Sequence, residues 1–344
     1  MKSQARRVTR EDVALRAGVS TATVSYVINN GPRPVAASTR QRVLSTIAEL
    51  GYYPNELARS LRVKQSLTVG LVIPDLMNPF YTGLAHSLED ICFGRGYVLI
   101  LCSTNREADK ERRFAELLRA KQVDGVVFLP DSKSMDAVTI LRQAHVPVVI
   151  LEHDIAGLAC IAIDDFRGGY LATQHLIDLG HRRIGFIQQE PNYTTSRRRL
   201  DGYHAALREN NIEINPALVV ACHSGHSGGA SALTTLLARN PDMTAVFAHN
   251  DVIAMGVIHA IGQAGLSVPG DISVVGNDDI ASAAYYAPPL TTISYPKEAM
   301  ATAAARQLFA TIDTREEPGA PITELLPVRL IARQSTAPVH RKEN

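Results

Sequence analysis

The sequence of 344 residues has few cysteines and no apolar run long enough to cross a membrane. A membrane helix needs roughly 20 consecutive apolar residues. The first residues form no hydrophobic signal segment, so we expect a cytoplasmic protein without a membrane partner. The four cysteines lie far apart and form no CxxC pair or Cys/His cluster: Cys92, Cys102, Cys160 and Cys222. We therefore expect small buried thiols, and neither a metal nor an organic cofactor.

Two motifs of enzymes are present only in part. The segment Gly94-Arg95-Gly96 is a fragment of the dinucleotide fingerprint G-x-G-x-x-G. Residues 225–229 match G-x-S-x-G, which places Ser227 in the strand-turn-helix context of a nucleophile elbow. A serine hydrolase also requires an acid and a suitable histidine. A helix start built of small residues explains this segment better, so we expect no catalytic residues and keep an α/β hydrolase as the alternative.

Positive charge is concentrated at the amino terminus. Residues 1–65 contain eleven Lys and Arg but four acidic residues, a net charge of +7, whereas the whole chain carries +1. The remainder is therefore acidic overall. This division is typical of a polyanion-binding head on a body that does not itself bind DNA. It argues against a second alternative, a solute-binding protein that has no role in transcription.

The amino-terminal pattern predicts a helix-turn-helix. Thr9 and Asp12 have the spacing of a capping box, and Gly18 can end the first helix. Ser20 can cap the second helix, which has a small and polar amino end suited to approaching base edges. A third helix is expected to begin at a cap on Ser38 and to end at Gly51. Its inward residues are Val43, Ile47 and Leu50.

From residue 67 onward, short β-rich runs alternate with amphipathic segments. The runs are LTVGLVIP, YVLILCS, VDGVVFLP and VPVVILEH, then RIGFIQQ, TAVFAHN and ISVVGNDD. Such alternation predicts parallel sheets covered by helices on both faces. The two series, 67–164 and 183–280, indicate an α/β fold with two doubly wound lobes. Ligands of such sheets bind at the carboxyl ends of the strands, where Asp75, Asp164, Asn250 and Asp278 fall.

Longer motifs resemble those of LacI-family repressors. The amino-terminal ones are VTREDVALRAGVSTATVSYVINN and STRQRVLSTIAELGYYPNELARSLR. The later ones include NPFY, IDDFRGG, RRLDGY, AHNDVIAMG and PGDISVVGNDD, and they extend over nearly the whole chain. The resemblance implies a helix-turn-helix domain over 1–53 and a hinge helix and linker over 54–65. It further implies a core over 66–340 similar to type I periplasmic binding proteins.

The resemblance assigns roles in DNA binding. It places Thr21, Ala22 and Tyr26 at base-reading positions, Thr23 and Ser25 at phosphates, and Asn29 near the DNA backbone. Thr9 and Ser20, which cap the first two helices, complete the DNA-binding set in the head. In the hinge, Asn55 begins the helix, Ala58 lies at its close crossing with a second copy, and Leu61 wedges into the minor groove. The implied partner is a pseudo-palindromic operator in double-stranded DNA, bound by a homodimer.

The core is expected to bind a small polar effector. By the same resemblance, aromatic rings hold the ligand ring, while charged and amide groups bind its hydroxyls. The implied ligand residues are Asp75, Phe80, Tyr81, Asp164, Arg199, His223, Asn250 and Asp278. Stretches such as LATQHLIDLGH are similar to ribose repressors, so a sugar, first a pentose, is expected. The lobes are expected to span about 66–164 with 295–325, and about 165–294 with 326–340.

We predict that Leu61→Ala weakens binding to the operator more than binding to random DNA, because an apolar wedge recovers its cost only where DNA is kinked. Affinities for the two DNAs, measured at one salt concentration, test this. An equal loss on both DNAs would contradict the wedge role.

Overall fold

The computed structural model describes residues 8–29, 33–53, 65–130, 135–152, 155, 157–189, 193–314 and 323–339. Contacts divide them into two units, one within residues 1–66 and one within residues 67–344. The hinge residues Asn55, Ala58 and Leu61 lie outside the described residues. Their roles stay predictions.

The first unit contains three helices. They are α1 (Arg10–Ala17), α2 (Thr21–Asn29) and α3 (Ala37–Leu50). The predicted capping box is present, since Thr9 accepts a hydrogen bond from the Asp12 N–H and donates to its carboxylate. Gly18 and Gly51 end α1 and α3 with φ of 65° and 59°, which favours glycine. The predicted cap at Ser38 is wrong, because α3 already begins at Ala37 and its cap residue, Ala36, makes no side-chain hydrogen bond.

The second unit contains two six-stranded sheets, each forming one lobe. The first lobe has β1 (Thr68–Ile73), β2 (Val98–Ser103), β3 (Gly125–Phe128), β4 (Val148–Leu151), β5 (Ala159–Ile163) and β11 (Thr323–Leu326). The second lobe has β6 (Ile184–Gln189), β7 (Val219–Cys222), β8 (Ala245–Ala248), β9 (Ser273–Asp278), β10 (Thr291–Ser294) and β12 (Arg329–Ile331). All pairings are parallel except that of β10 with β12. The prediction of two parallel-sheet lobes is confirmed.

Helices cover both faces of each sheet. In chain order they are α4 (Pro79–Gly94), α5 (Ala108–Ala120), α6 (Asp136–Gln143), α7 (Asp165–Asp178), α8 (Thr194–Glu209), α9 (His226–Arg239), α10 (Asp251–Gln263) and α11 (Lys297–Thr314). Along β1, Val69 and Leu71 belong to one buried cluster and Val72 to another, so side chains alternate between two covered faces. Among the helices described, none combines the length and the apolar composition needed to cross a membrane.

The strand order of both sheets places a crevice between the lobes. In the first sheet β1 lies between β3 and β2, and in the second β6 lies between β8 and β7. The order of strands reverses at these points, and a crevice forms there outside the carboxyl ends of the strands. The chain passes from one sheet to the other after Ile163, after Ser294 and between Leu326 and Arg329. The lobes are therefore joined by three short crossings.

Two glycines bring α7 and α8 into close contact. A Cβ on Gly202 would lie 2.1 Å from the Phe166 carbonyl oxygen, and a Cβ on Gly169 would lie 2.1 Å from the Arg199 carbonyl oxygen. Because both obstacles are backbone atoms, a side chain there would force the helices apart. The position of α8, which carries Arg199, thus depends on these glycines.

We expect Gly202→Ala to lower the free energy of unfolding by about 1–3 kcal/mol, because the added methyl overpacks the α7–α8 contact. The matched control is Gly262→Ala in α10, where an added Cβ meets no atom within 4 Å. The control should gain roughly 0.5–1 kcal/mol from helix propensity. Denaturant unfolding measures both variants. A neutral Gly202→Ala would show that the contact is not tight.

Candidate functional site

A cavity of about 490 Å³ lies between the lobes, at the carboxyl ends of strands from both sheets. Most polar residues of its wall lie at or just after the end of a strand or in the first two turns of a helix. The wall includes Asn78, Phe80, Tyr81, Arg106, Glu152, Gln189, Tyr193, Arg198, Arg199, His249, Asn250 and Asp278. Its size and mixed wall suit a small polar ligand.

Five of the eight predicted ligand residues line this cavity: Phe80, Tyr81, Arg199, Asn250 and Asp278. The Phe80 and Tyr81 rings meet edge to face, with centroids 5.2 Å apart, and form the apolar part of the wall. Asn250 accepts a hydrogen bond from the Ile253 N–H at 2.9 Å and so caps α10. Capping and cavity lining coexist in this residue, because a helix begins where the strand ends.

The other three predicted residues, Asp75, Asp164 and His223, are not brought to the cavity wall. Asp75 accepts a hydrogen bond from the Met77 N–H at 2.8 Å in its own turn. Asp164 accepts from the Arg167 N–H at 3.0 Å and caps α7. His223 is exposed after β7. A carboxylate after a strand can equally serve the next helix, which the sequence could not distinguish.

Arg199 is the electrostatic centre of the wall. Its Nε donates to Asp165 Oδ1 at 2.9 Å, and its Nη1 donates to the His249 carbonyl oxygen at 2.6 Å. The guanidinium also lies over the Tyr295 ring, 5.2 Å from its centroid. Burial opposes its charge, but Tyr295, Asp165, Asp278 and Glu152 together raise the pKa of Arg199 above its usual value. The arginine is therefore fully ionised and held in one orientation.

Tyr295 connects this ion pair to a crossing between the lobes. It follows β10 and donates its hydroxyl hydrogen to Asp165 Oδ1 at 2.6 Å. Its ring also meets Phe80 of the first lobe edge to face, at 6.0 Å. Burial raises the pKa of Tyr295 well above its usual value, so the hydroxyl keeps its proton. Asp165 thus accepts from both Arg199 and Tyr295.

Sequence reasoning missed Glu152 and His249, which follow β4 and β8. Burial, reinforced by the negative charge of Asp165 and opposed by Arg199, raises the pKa of the Glu152 carboxyl to about 8. Burial and the Arg199 charge hold the pKa of His249 well below its usual range, so this imidazole is neutral. Glu152 is the next-to-last residue of the predicted run VPVVILEH, as Asp278 is of ISVVGNDD, so the same strand-end signal was present at both residues.

Contacts across the cavity join the two lobes. Asn78 Nδ2 of the first lobe donates to Asp278 Oδ2 of the second at 3.3 Å. The Arg106 guanidinium of the first lobe lies 5.0 Å from the Tyr193 ring centroid of the second. Lys297 at the start of α11 donates to the Asp279 carbonyl oxygen at 2.9 Å. A ligand entering the cavity meets both lobes at once.

The G-x-S-x-G segment does not form a hydrolase site in the described chain. Ser227 lies exposed in the first turn of α9, and no histidine among the described residues hydrogen-bonds its hydroxyl. His249 is buried beside Arg199, and His259 is exposed on α10. The glycines of the segment instead allow close packing, because a Cβ on Gly229 would lie 2.2 Å from the Ile253 carbonyl oxygen.

The first unit presents the predicted DNA-binding side chains away from its core. Val24 and Val27 are buried, while Thr21, Ala22 and Asn29 are exposed. Spacings of four residues place these exposed positions, with Ser25 and Tyr26, on one side of α2. Thr9 and Ser20 are exposed and accept hydrogen bonds that cap α1 and α2. Asn29 donates to the Ser25 carbonyl oxygen at 2.9 Å.

Comparison with known proteins gives matches for both the amino-terminal helices and the two-lobed core. Residues 9–55 match the family described as bacterial regulatory proteins, lacI family, and residues 173–336 match a periplasmic binding protein-like domain. The HTH-type transcriptional repressor PurR of Pasteurella multocida is 39% identical over 330 residues, which cover 95% of this chain and 98% of that protein. That relative is a repressor, which agrees with the expectation that this chain is not an enzyme.

Two solved structures share the architecture. The Lac repressor dimer bound to operator and the anti-inducer ONPF is 30% identical with a TM-score of 0.85, over 96% of this chain and 100% of that chain. A LacI family transcriptional regulator from Enterococcus faecium with bound ribose is 34% identical with a TM-score of 0.73, over 79% of this chain and 100% of that chain. The similarity to the first structure spans both described units.

We expect Arg199→Met to lower the free energy of unfolding by about 3–5 kcal/mol, because it leaves the buried Asp165 carboxylate without its cation. The neighbouring Arg198 is half-exposed and lies 3.9 Å from Asp164, so Arg198→Met should cost about 0–1 kcal/mol. Denaturant unfolding of both variants measures the difference. Equal effects would show that the buried Arg199–Asp165 pair stabilises the fold no more than the exposed Arg198–Asp164 pair does.

Proposed function

Because this chain belongs to the lacI family of bacterial regulatory proteins and is a DNA-binding transcriptional repressor with a ligand-binding core, we propose that it binds a pseudo-palindromic operator as a homodimer under the control of a small sugar. The observation that carries the proposal is the cavity between the lobes, with its buried Arg199 and its aromatic and carboxylate wall.

The proposed DNA contacts follow from the helix-turn-helix. Thr21, Ala22 and Tyr26 read base edges, while Thr23 and Ser25 contact phosphates. Small side chains at the amino end of α2 permit close approach to the major groove. None of the three readers is an arginine, the usual partner of guanine, so methyl contacts and DNA shape carry more of the specificity. Asn55, Ala58 and Leu61 are assigned to the hinge.

The proposed effector is a pentose, with ribose as the first candidate. Asp278 offers carboxylate oxygens to ligand hydroxyls, Asn250 offers an amide, and Phe80 and Tyr81 offer a ring wall. The related regulator from Enterococcus faecium binds ribose. A planar nucleobase is the second candidate, since paired donors and acceptors beside aromatic rings also suit a flat heterocycle, and the screen below distinguishes the two.

The proposed dimer uses the edge of the first lobe. Strand β2 is at one end of its sheet, and the apolar Phe93, Val98 and Leu101 are exposed at or beside it. Exposed apolar residues around an unpaired strand edge favour association. Two-fold symmetry would then present two copies of α2 to two half-sites.

Control of DNA binding is proposed to act through lobe closure. The two lobes can take an open or a closed arrangement, which differ in the backbone at the three crossings. A ligand in the cavity contacts both lobes and so changes the relative stability of these two arrangements. A ligand shifts this equilibrium only by its difference in affinity for the two arrangements. The hinge segment immediately precedes the first lobe in the chain and can respond to that shift.

We expect ribose to raise the thermal unfolding temperature of the full chain, because a ligand that binds only the folded state stabilises it. The screen compares ribose with hexoses, sugar phosphates and nucleobases. Arg199→Lys, which keeps a charge beside Asp165 but loses the planar fork, should abolish most of the shift. Arg197→Ala, at an exposed position on the same helix, should keep it. A shift with a nucleobase but not with ribose would contradict the sugar assignment.

A further inference from the structure

Glu152 holds an unusual position in the cavity wall. It follows β4 with φ of 65°, a conformation that non-glycine residues rarely adopt, and its N–H donates to the Ile161 carbonyl oxygen at 2.9 Å. The backbone therefore fixes the residue at the strand end, and its side chain lines the cavity. No described residue makes a hydrogen bond or ion pair with the Glu152 carboxyl. A strained backbone conformation at a residue of a cavity wall indicates a role in binding.

The groups that face Glu152 disfavour another negative charge. The carboxylates of Asp165 and Asp278 lie close enough to repel it, and the Arg199 guanidinium is already bound to Asp165. Arg106 faces it as well, but lies over the Tyr193 ring. His249, which also lines the cavity, is neutral. A carboxyl group in such a site is more stable with its proton.

We propose that Glu152 binds the effector as a neutral carboxylic acid, donating its proton in a hydrogen bond to an acceptor oxygen of the ligand, so that effector binding weakens in alkaline solution. The inference rests on the proposed function, since it takes the effector to occupy this cavity. It specifies the ligand further: a hydroxyl, ring or carbonyl oxygen faces Glu152, and an ammonium group does not.

The histidine beside Arg199 differs from Glu152 in whether a ligand can reach its hydrogen. Arg199 has only donor hydrogens, so at 3.3 Å the His249 Nε2 must accept, and the neutral ring carries its hydrogen on Nδ1. That Nδ1 atom is buried and has no hydrogen-bond partner among the described residues. The Nδ1 hydrogen of His249 is therefore shielded from the cavity, whereas the acid hydrogen of Glu152, which lines the cavity, has no described acceptor. A ligand with an oxygen acceptor can satisfy that Glu152 hydrogen.

The first test uses the ligand-free protein. The pKa of Glu152 is about 8 in the folded state and roughly 4.3 when unfolded, so wild-type stability falls as pH rises between these values. Glu152→Gln mimics the protonated acid and lacks this loss. The unfolding temperature of the variant relative to wild type should therefore rise across the window and level off above it. A difference that does not change with pH would overturn the proposal.

The second test measures ribose affinity by calorimetry. Wild type should bind about tenfold more weakly at about pH 9 than at about pH 7, because the acid form becomes scarce above its pKa. Glu152→Gln should bind equally at both values, and Glu89→Gln, at an exposed position on α4, should behave as wild type.

Equal wild-type affinity at both pH values would overturn the role of Glu152 and leave the effector assignment intact. If ribose binds at neither pH, the effector assignment fails. The pH dependence of unfolding then still decides whether Glu152 holds its proton, because that measurement needs no ligand.

Discussion

The Arg199 guanidinium is buried in the core with the Asp165 carboxylate 2.9 Å away, and the organisation of the cavity depends on this pair. A buried charge is tolerated only beside a partner, with its remaining donors satisfied. Asp165 begins α7, Arg199 lies on α8, and the two helices meet through Gly169 and Gly202. Helix packing thus sets the ion pair, and the ion pair sets which polar groups are left to face a ligand.

The same pair reaches the junction of the lobes through Tyr295. This tyrosine donates to Asp165, contacts Phe80 of the first lobe, and lies where the chain passes from β10 to α11. A ligand that engages Arg199 therefore acts on a group bonded to a crossing segment. Together with the Asn78–Asp278 and Lys297–Asp279 hydrogen bonds, this gives a physical path from the cavity to the relative position of the lobes.

Several predictions from the sequence depended on alternatives that local patterns cannot separate. Asp164 and Asp278 both follow buried strands, but Asp164 caps α7 whereas Asp278 lines the cavity. Ser38 looked like a cap, yet α3 begins one residue earlier. Glu152 and His249 carried the same strand-end signal as Asp278 and were not selected. Arg106 and Tyr193 carried no signal, because their contact joins residues far apart in the chain.

The sequence by itself determined the helix-turn-helix, the two doubly wound lobes, the family and the importance of Arg199. These follow from periodicity, capping residues and extended motifs, which are local and repeat along the chain. Only the tertiary structure decided which strand-end residues share one cavity, that Arg199 is bound to Asp165, and that Glu152 is buried near two other carboxylates. Those properties arise from the distances between distant residues, and proton affinity depends on burial and neighbouring charge rather than on residue type alone.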